Sequence, residues 1–421
     1  MRNRPDRRAS ARIYLDHAAT TPLDPRVLEA MLPYLSEHWG NPSSLYAEAQ
    51  EARKGLDGAR RTIAGILSCR PQEVIFTSGG SESDALALRG AAYAGRRRAQ
   101  AAGGRGDHIV TTAIEHHAVL HTAERLEQEG YRVTYLPVDG AGFIDVTALE
   151  DAVSEDTVLV SVMYVNNEVG TIEPVERAVR AVKAKNPHTV FHTDAVQAVG
   201  TLDVSVDRLG VDLLSIGAHK FYGPKGVGAL YVRARTPLLP QQLGGAQEKD
   251  RRAGTENVAG IVGMAKAMEL AYEEFDARNA RYRELRDLLM RGIPERVPYA
   301  HVTGPGPRPA HPEEPREGRV SNSFSCCFEF IEGEAILMAL DLAGVAASSG
   351  SACTSGSLEP SHVLTAMGVP EELARGSLRL TVGKDNTREE IEYLLDVLPG
   401  IVSRLRSLSP TWPERSLVDS G

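Results

Sequence analysis

The chain has 421 residues, is 42% hydrophobic and carries a net charge of -9. A chain of this length buries a large core and divides into about two domains, and its acidity excludes nucleic acid as the principal partner. The most apolar run, residues 158–165, is too short to cross a bilayer, so no membrane partner is expected. The four cysteines, Cys69, Cys326, Cys327 and Cys353, show neither metal-ligand nor disulfide-framework spacing. That points to a reducing, cytoplasmic compartment and to no metal site.

Residues 1–12, MRNRPDRRASAR, are basic and are not followed by the apolar stretch of a signal peptide. They read as a disordered tail, with an arginine-rich transit peptide as the alternative. Residues 13–15 form a short strand, and Pro22 and Pro25 turn the chain into a helix over about 26–35. A Gly40-Asn41-Pro42 loop leads to a second helix over 47–67. From Glu73 onward, strands at 74–77, 109–112, 133–138, 158–164, 190–192, 213–216 and 227–232 alternate with helical patterns such as 85–94, 119–129 and 175–185. Val- and Leu-rich strands in strand–helix alternation predict an α/β domain, a doubly wound and mostly parallel sheet of seven strands over residues 13–260.

Beyond Ile261 the pattern is a long amphipathic helix. Met268, Tyr272, Phe275, Asn279, Tyr282, Leu285 and Leu289 recur at three- and four-residue steps, which makes one continuous face. Residues 304–318 are Gly/Pro-rich without periodicity and are expected to be mobile or disordered. A strand at 322–330, a helix at 332–342 and a strand at 378–382 follow. The last helix starts at Thr387, where Glu390 completes a capping box. These elements make a smaller α+β domain over 261–407, on which the first residues of the chain are free to pack, with a tail at 408–421. No internal repeat is present.

The chemistry is concentrated where predicted strands end. Lys220 follows the apolar run Val211–Ile216 beside His219, among Gly217, Gly223, Pro224, Gly226 and Gly228. Open α/β sheets gather ligands outside their carboxyl edge. A lysine held there is able to form a Schiff base with a carbonyl cofactor such as pyridoxal phosphate, although a solvent-facing lysine has the same local pattern. In TSGGSESD, Gly79 and Gly80 free the backbone before a helix that starts near Ser81, a seat for one small phosphate rather than a nucleotide. Asp194 ends another strand, where a carboxylate favours a protonated pyridine nitrogen and deepens its electron sink; capping a helix is the competing reading. Gln197 lies one helical turn further on, within reach of a ring hydroxyl. His116, in Glu115-His-His117, suits stacking on an aromatic cofactor and proton relay, and Asn167, in Asn166-Asn-Glu168, suits a phenolic oxygen or a substrate carboxylate.

One thiol differs from the other three. Cys353 sits in ASSGSACTSGSLEP, the composition of a mobile exposed loop, where it is wasted in packing and accessible for nucleophilic attack. Cys326 and Cys327 fall in the apolar strand SFSCCFEF and Cys69 at a helix end, so they read as inert filler.

Taken together these residues resemble the cysteine desulfurases, in the group with the long cysteine loop, among the fold-type I, class V aminotransferase-like pyridoxal phosphate enzymes. The resemblance runs from about Ile13 to Arg404. SSGSACTSGSLEPSHVL is its most specific stretch, and LDHAATTP, EHHAVL, VNNEVG, HKFYGPKGVGALYVR and RRAGTEN also match. It implies pyridoxal 5'-phosphate bound to Lys220, which also moves protons. Asp194 is implied on the ring nitrogen, His116 on the ring face, and Gln197 and Asn167 on the ring oxygen or the substrate. Gly80, Ser81 and His219 are implied on the phosphate, joined by Thr255 from a second copy in a homodimer. Arg379 is implied as the bidentate partner of the substrate carboxylate, with Asn41 assisting.

The implied reaction takes L-cysteine to L-alanine and leaves a persulfide on Cys353, which a swinging loop carries to an acceptor protein. Iron–sulfur cluster assembly, tRNA thiolation and other biosynthetic pathways are the destinations open to that sulfur. Selenocysteine lyase or aminotransferase activity is the alternative on the same fold; transamination needs no thiol, and a cofactor-free interaction protein would not need Lys220, Asp194 and His116 together. Three positions depart from the family pattern: Gly217 where a hydroxyl residue is common, Ala85 where asparagine is usual, and Tyr46 in place of histidine.

Overall fold

The computed structural model describes residues 12–306, 318–350 and 359–413. The N-terminal tail through residue 11, residues 307–317 of the Gly/Pro-rich segment, Cys353 with its immediate neighbours, and residues 414–421 of the C-terminal tail lie outside the described residues.

The chain opens with β1 (Ile13–Tyr14), α1 (Pro25–Ser36), α2 (Ala47–Leu67), β2 (Val74–Thr77) and α3 (Gly80–Ala101). It continues through β3 (His108–Thr112), α4 (His117–Gln128), β4 (Arg132–Leu136), α5 (Val146–Ala152), β5 (Thr157–Ser161) and α6 (Val175–Lys185). Then come β6 (Val190–Asp194), α7 (Val206–Leu209), β7 (Leu213–Gly217), β8 (Gly228–Val232) and α8 (Val258–Glu273). The remainder is α9 (Phe275–Arg296), β9 (Ala300–Val302), β10 (Ser323–Phe328), α10 (Gly333–Leu342), β11 (Val345–Ala346), α11 (His362–Ala366), α12 (Glu371–Ala374), β12 (Ser377–Thr381) and α13 (Arg388–Leu408).

Two units divide these elements. The larger comprises residues 20–167 and 171–275 and holds a seven-stranded sheet in the order β2-β8-β7-β6-β5-β3-β4. Only β8 runs against its neighbours, while β7-β6-β5-β3-β4 pair in parallel. Because β2 and β7 both oppose β8, they share one direction, so β2, β3, β5, β6 and β7 all end at one edge. β2, β3 and β5 to β8 are buried along their whole length, as Val- and Leu-rich strands covered on both faces must be. The core behind that edge includes Ile75, Leu86, Leu88, Ile109, Leu159, Val190, Leu213 and Leu230.

The smaller unit comprises residues 12–19, Glu168–Gly170 and the described residues from 276 on. It has a three-stranded antiparallel sheet, β12-β10-β9, and the short parallel pair of β1 with β11, which brings the first residues into this unit. The core joins Ile13 and Leu15 to Tyr282, Leu285, Leu289, Phe324, Phe328, Leu378, Leu394 and Leu398. Thr387 and Glu390 form the capping box at the start of α13, their side chains exchanging bonds with each other's backbone N–H at 3.2 and 3.1 Å.

Three expectations change. The long helix is broken at Glu274 into α8 and α9, and the division between units falls after Phe275 rather than at 260/261. The apolar period runs across the break because two cores use it: Met268 is buried in the larger unit and Tyr282, Leu285 and Leu289 in the smaller. The helix α8 packs instead on α1 and α2, and a Cβ on Gly263 would meet Met31 at 2.6 Å. Finally, no helix follows Asp194; the chain makes turns, and the Asp194 carboxylate accepts the Val196 N–H at 2.8 Å.

Candidate active site

The carboxyl edge of the large sheet collects the polar residues. β2 ends at Thr77 and α3 begins at Gly80, with Gly79 as an N-cap that provides no side-chain bond to the first turn. Glu82, the one acid of that turn, accepts bonds from the Ser78 backbone N–H and from the Ser78 hydroxyl and forms a 2.8 Å ion pair with Arg252. The positive end of α3 therefore lies at the carboxyl edge, with the Glu82 carboxylate drawn back to Ser78 and Arg252. Glycines set its position: a Cβ on Gly217 would lie 3.2 Å from Gly80 N, and one on Gly228 would lie 2.7 Å from the Gly79 carbonyl carbon.

Next along the edge, β7 runs into a tight turn over Ala218–Lys220. His219 Nδ1 is 3.1 Å from the Thr20 hydroxyl, and its carbonyl accepts the Thr21 N–H at 2.9 Å. Burial, with Lys220 and Lys225 nearby, lowers its pKa to about 4. Lys220 itself is half-buried. His116 is the N-cap of α4, its Nδ1 accepting the Ala118 N–H at 3.1 Å. That bond fixes the neutral tautomer, and burial aided by Lys220 lowers the ring's pKa to about 4. Asp194 is 6% exposed. Burial raises its pKa to about 6 against the pull of the Val196 N–H and of Lys220. One side-chain nitrogen or oxygen from each of Asp84, His116 and Asp194 falls within 4.8 Å of the others.

Beneath these lies a layer of buried polar groups. Glu115 accepts the Met163 N–H at 2.8 Å and the Thr112 hydroxyl at 2.9 Å, tying the ends of β3 and β5 together. Complete burial pushes its pKa up to about 8. Asn166 donates to the Ile114 carbonyl at 3.0 Å. His192 is bonded through both nitrogens, to Ser161 at 2.9 Å and Ser215 at 3.0 Å.

Of the residues expected from the sequence, Gly80, His116, Asp194, His219 and Lys220 come together at this edge, while Asn167 and Gln197 lie in the segments that follow β5 and β6. Ser81 is exposed on the first turn of α3. Thr255 is exposed and Asn41 accepts the Ser43 N–H in its own turn at 3.0 Å. Arg379 belongs to the smaller unit, on β12, where it is 4% exposed and pairs with Asp16 at 2.9 Å. In the same unit Glu168 accepts the Ser361 hydroxyl. Cys326 and Cys327 are buried, and burial raises Cys327 and Cys69 to about 12, so all three remain thiols. Sequence reasoning missed Asp84, Glu115 and His192 as parts of the site. For Asp84 and His192 the available signal was polarity inside a helix and a buried strand; Glu115, between β3 and α4, gave none.

Pyridoxal phosphate fits these residues. The N-terminus of α3 suits a phosphate dianion, a buried acid suits a protonated ring nitrogen, and Lys220 supplies an amine beside them. The family described as Aminotransferase class-V matches residues 13–394. A protein named Cysteine desulfurase IscS, from Clostridium botulinum, is 48% identical over 402 residues, 96% of this chain and 97% of its own. A solved structure described as a NifS-like protein is 40% identical with a TM-score of 0.84, covering 94% of this chain and 100% of its own. Another, SspA in complex with cysteine, is 35% identical with a TM-score of 0.74, covering 89% and 100%.

Proposed function

The chain belongs to the aminotransferase class-V family and is a cysteine desulfurase; from that premise we propose how its residues divide the work. The observation that carries the reading is the gathering of Lys220, the buried Asp194 and the half-buried His116 at the carboxyl edge of the sheet, with side-chain atoms of Asp194 and His116 within 4.8 Å of each other. Pyridoxal 5'-phosphate, when bound, supplies an electron sink for the substrate α-carbon. Lys220 would hold it covalently, Asp194 would hold its ring nitrogen, and the neutral His116 would lie on its face. Gly80, Ser81 and His219 would hold its phosphate, with Thr255 of a second copy, and Asn167 and Gln197 its ring oxygen.

Lys220, once released, takes the α-proton of L-cysteine at Nζ. Arg379 binds the substrate carboxylate, with Asn41 assisting; this role rests on the family resemblance. Cys353 as thiolate attacks the substrate sulfur: an S–S bond forms, the C–S bond breaks with its electron pair left on the carbon skeleton, and protonation releases alanine. The persulfide on Cys353 then passes to an acceptor protein. Cysteine alone, with no keto acid, is expected to yield alanine and protein-bound sulfur in equal amounts. Cys353→Ser should keep cysteine binding and lose sulfur release; undiminished turnover by that variant would refute the assignment.

A further inference from the structure

Asp84 has no part in the roles given above. It lies on α3 one turn beyond Gly80, 1% exposed, and its Oδ1 is buried without a hydrogen-bond partner. That oxygen is 3.6 Å from His192 Nε2, but the imidazole is committed to two serine hydroxyls, and burial lowers its pKa to about 3. The groups facing Asp84 are therefore Asp194 and His192 from β6, Ser215 from β7, and Glu115 and His116 from the segment between β3 and α4. The cation of the cluster, Lys220, acts on Asp194 and His116.

Two carboxyls this close in a dry site do not both ionise, because their repulsion and their desolvation add. The supporting groups differ. Asp194 has a backbone N–H at 2.8 Å and a nearby ammonium group, whereas Asp84 has the Ser215 hydroxyl and a neutral imidazole. Burial and Asp194 both push Asp84 in the same direction, well above the usual carboxylate range.

We propose that Asp84 is a positioning residue that keeps the proton of the Asp84–Asp194 pair, standing as an uncharged acid behind Asp194 and leaving Asp194 the anion that meets the ring nitrogen. The placing of Asp194 on the ring rests on the function proposed above; the protonation of Asp84 does not. As a coupled pair, the two carboxyls titrate together rather than as separate sites.

The test uses the full-length protein with and without pyridoxal phosphate at neutral pH. A wild-type minus Asp84→Asn infrared difference spectrum is expected to contain the carbonyl stretch of an un-ionised carboxylic acid in both states. Since asparagine is likewise uncharged, Asp84→Asn should hold the cofactor with a dissociation constant within about threefold of wild type and an unshifted pH titration of its visible band. Loss of a carboxylate band instead, or weakening of binding by more than about tenfold, the equivalent of one pH unit, would overturn the proposal. If Asp84→Asn does not fold, Asp194→Asn serves. With the neighbouring charge gone, the acid band should bleach at a lower pH than in wild type, and an unmoved midpoint would refute the proposal. An acid band in a protein that makes no alanine from cysteine would refute the proposed function and leave this inference standing.

Discussion

Burial makes the ionisable residues at the sheet edge unequal, and Glu115 shows the consequence for stability. Its carboxyl titrates near 4.5 in the open chain and near 8 in the folded one, so between those values the native state holds a proton that the unfolded state has lost. Stability contributed at low pH is therefore lost as pH rises from about 4.5 to about 8, at up to about 1.4 kcal/mol per unit. Glu115→Gln keeps an acceptor for the Met163 N–H and the Thr112 hydroxyl but cannot ionise. In denaturant unfolding it should gain on the wild type steadily across that interval and run parallel to it above; a constant difference would contradict this account. Single residues were legible in the sequence where a strand ended at them: Lys220, Asp194 and His116 were found this way. Asp84 and His192 were not, because a residue inside a helix or strand announces its direction only through its neighbours in space.

Glycines fix the relation between β2, β7, β8 and α3. A Cβ on Gly228 would lie 2.6 Å from the Ile216 carbonyl oxygen and 2.7 Å from the Gly79 carbonyl carbon, and both obstacles are backbone. Gly228→Ala should cost roughly 1–3 kcal/mol in thermal or denaturant unfolding, as overpacking does, and should weaken phosphate binding by moving the start of α3; unchanged stability would show that the strands yield freely. The element pattern itself was largely readable, since buried strands are rich in apolar residues and six of the seven strands of the large sheet are buried throughout. What the pattern did not show was the break at Glu274, because an apolar period that changes from one core to another keeps its spacing. Nor did it show the short strands β9 and β11, whose pairing is tertiary.

At the scale of the whole molecule, the larger unit exposes a run of apolar side chains: Leu28, Leu32 and Leu35 on α1, then Trp39 and Leu45, with Leu243 on a separate loop. Leu35 is 60% exposed, Trp39 67% and Leu45 92%, large apolar side chains whose burial against a partner would be favourable. The proposed homodimer, in which Thr255 of one copy would serve the other's phosphate, would take these side chains out of water. Light scattering should give twice the chain mass. Leu32→Glu combined with Leu35→Glu should shift the protein toward monomer with a loss of cofactor affinity; a monomer that retains full turnover would contradict the shared site.

The central claim is that one amine at the carboxyl edge of the sheet carries the cofactor. Reducing the cofactor-loaded protein with borohydride and mapping its peptides tests this most directly. The pyridoxyl group is expected on Lys220, with none on Lys220→Ala; an adduct on another lysine, or a coloured protein that yields no adduct, would contradict the account.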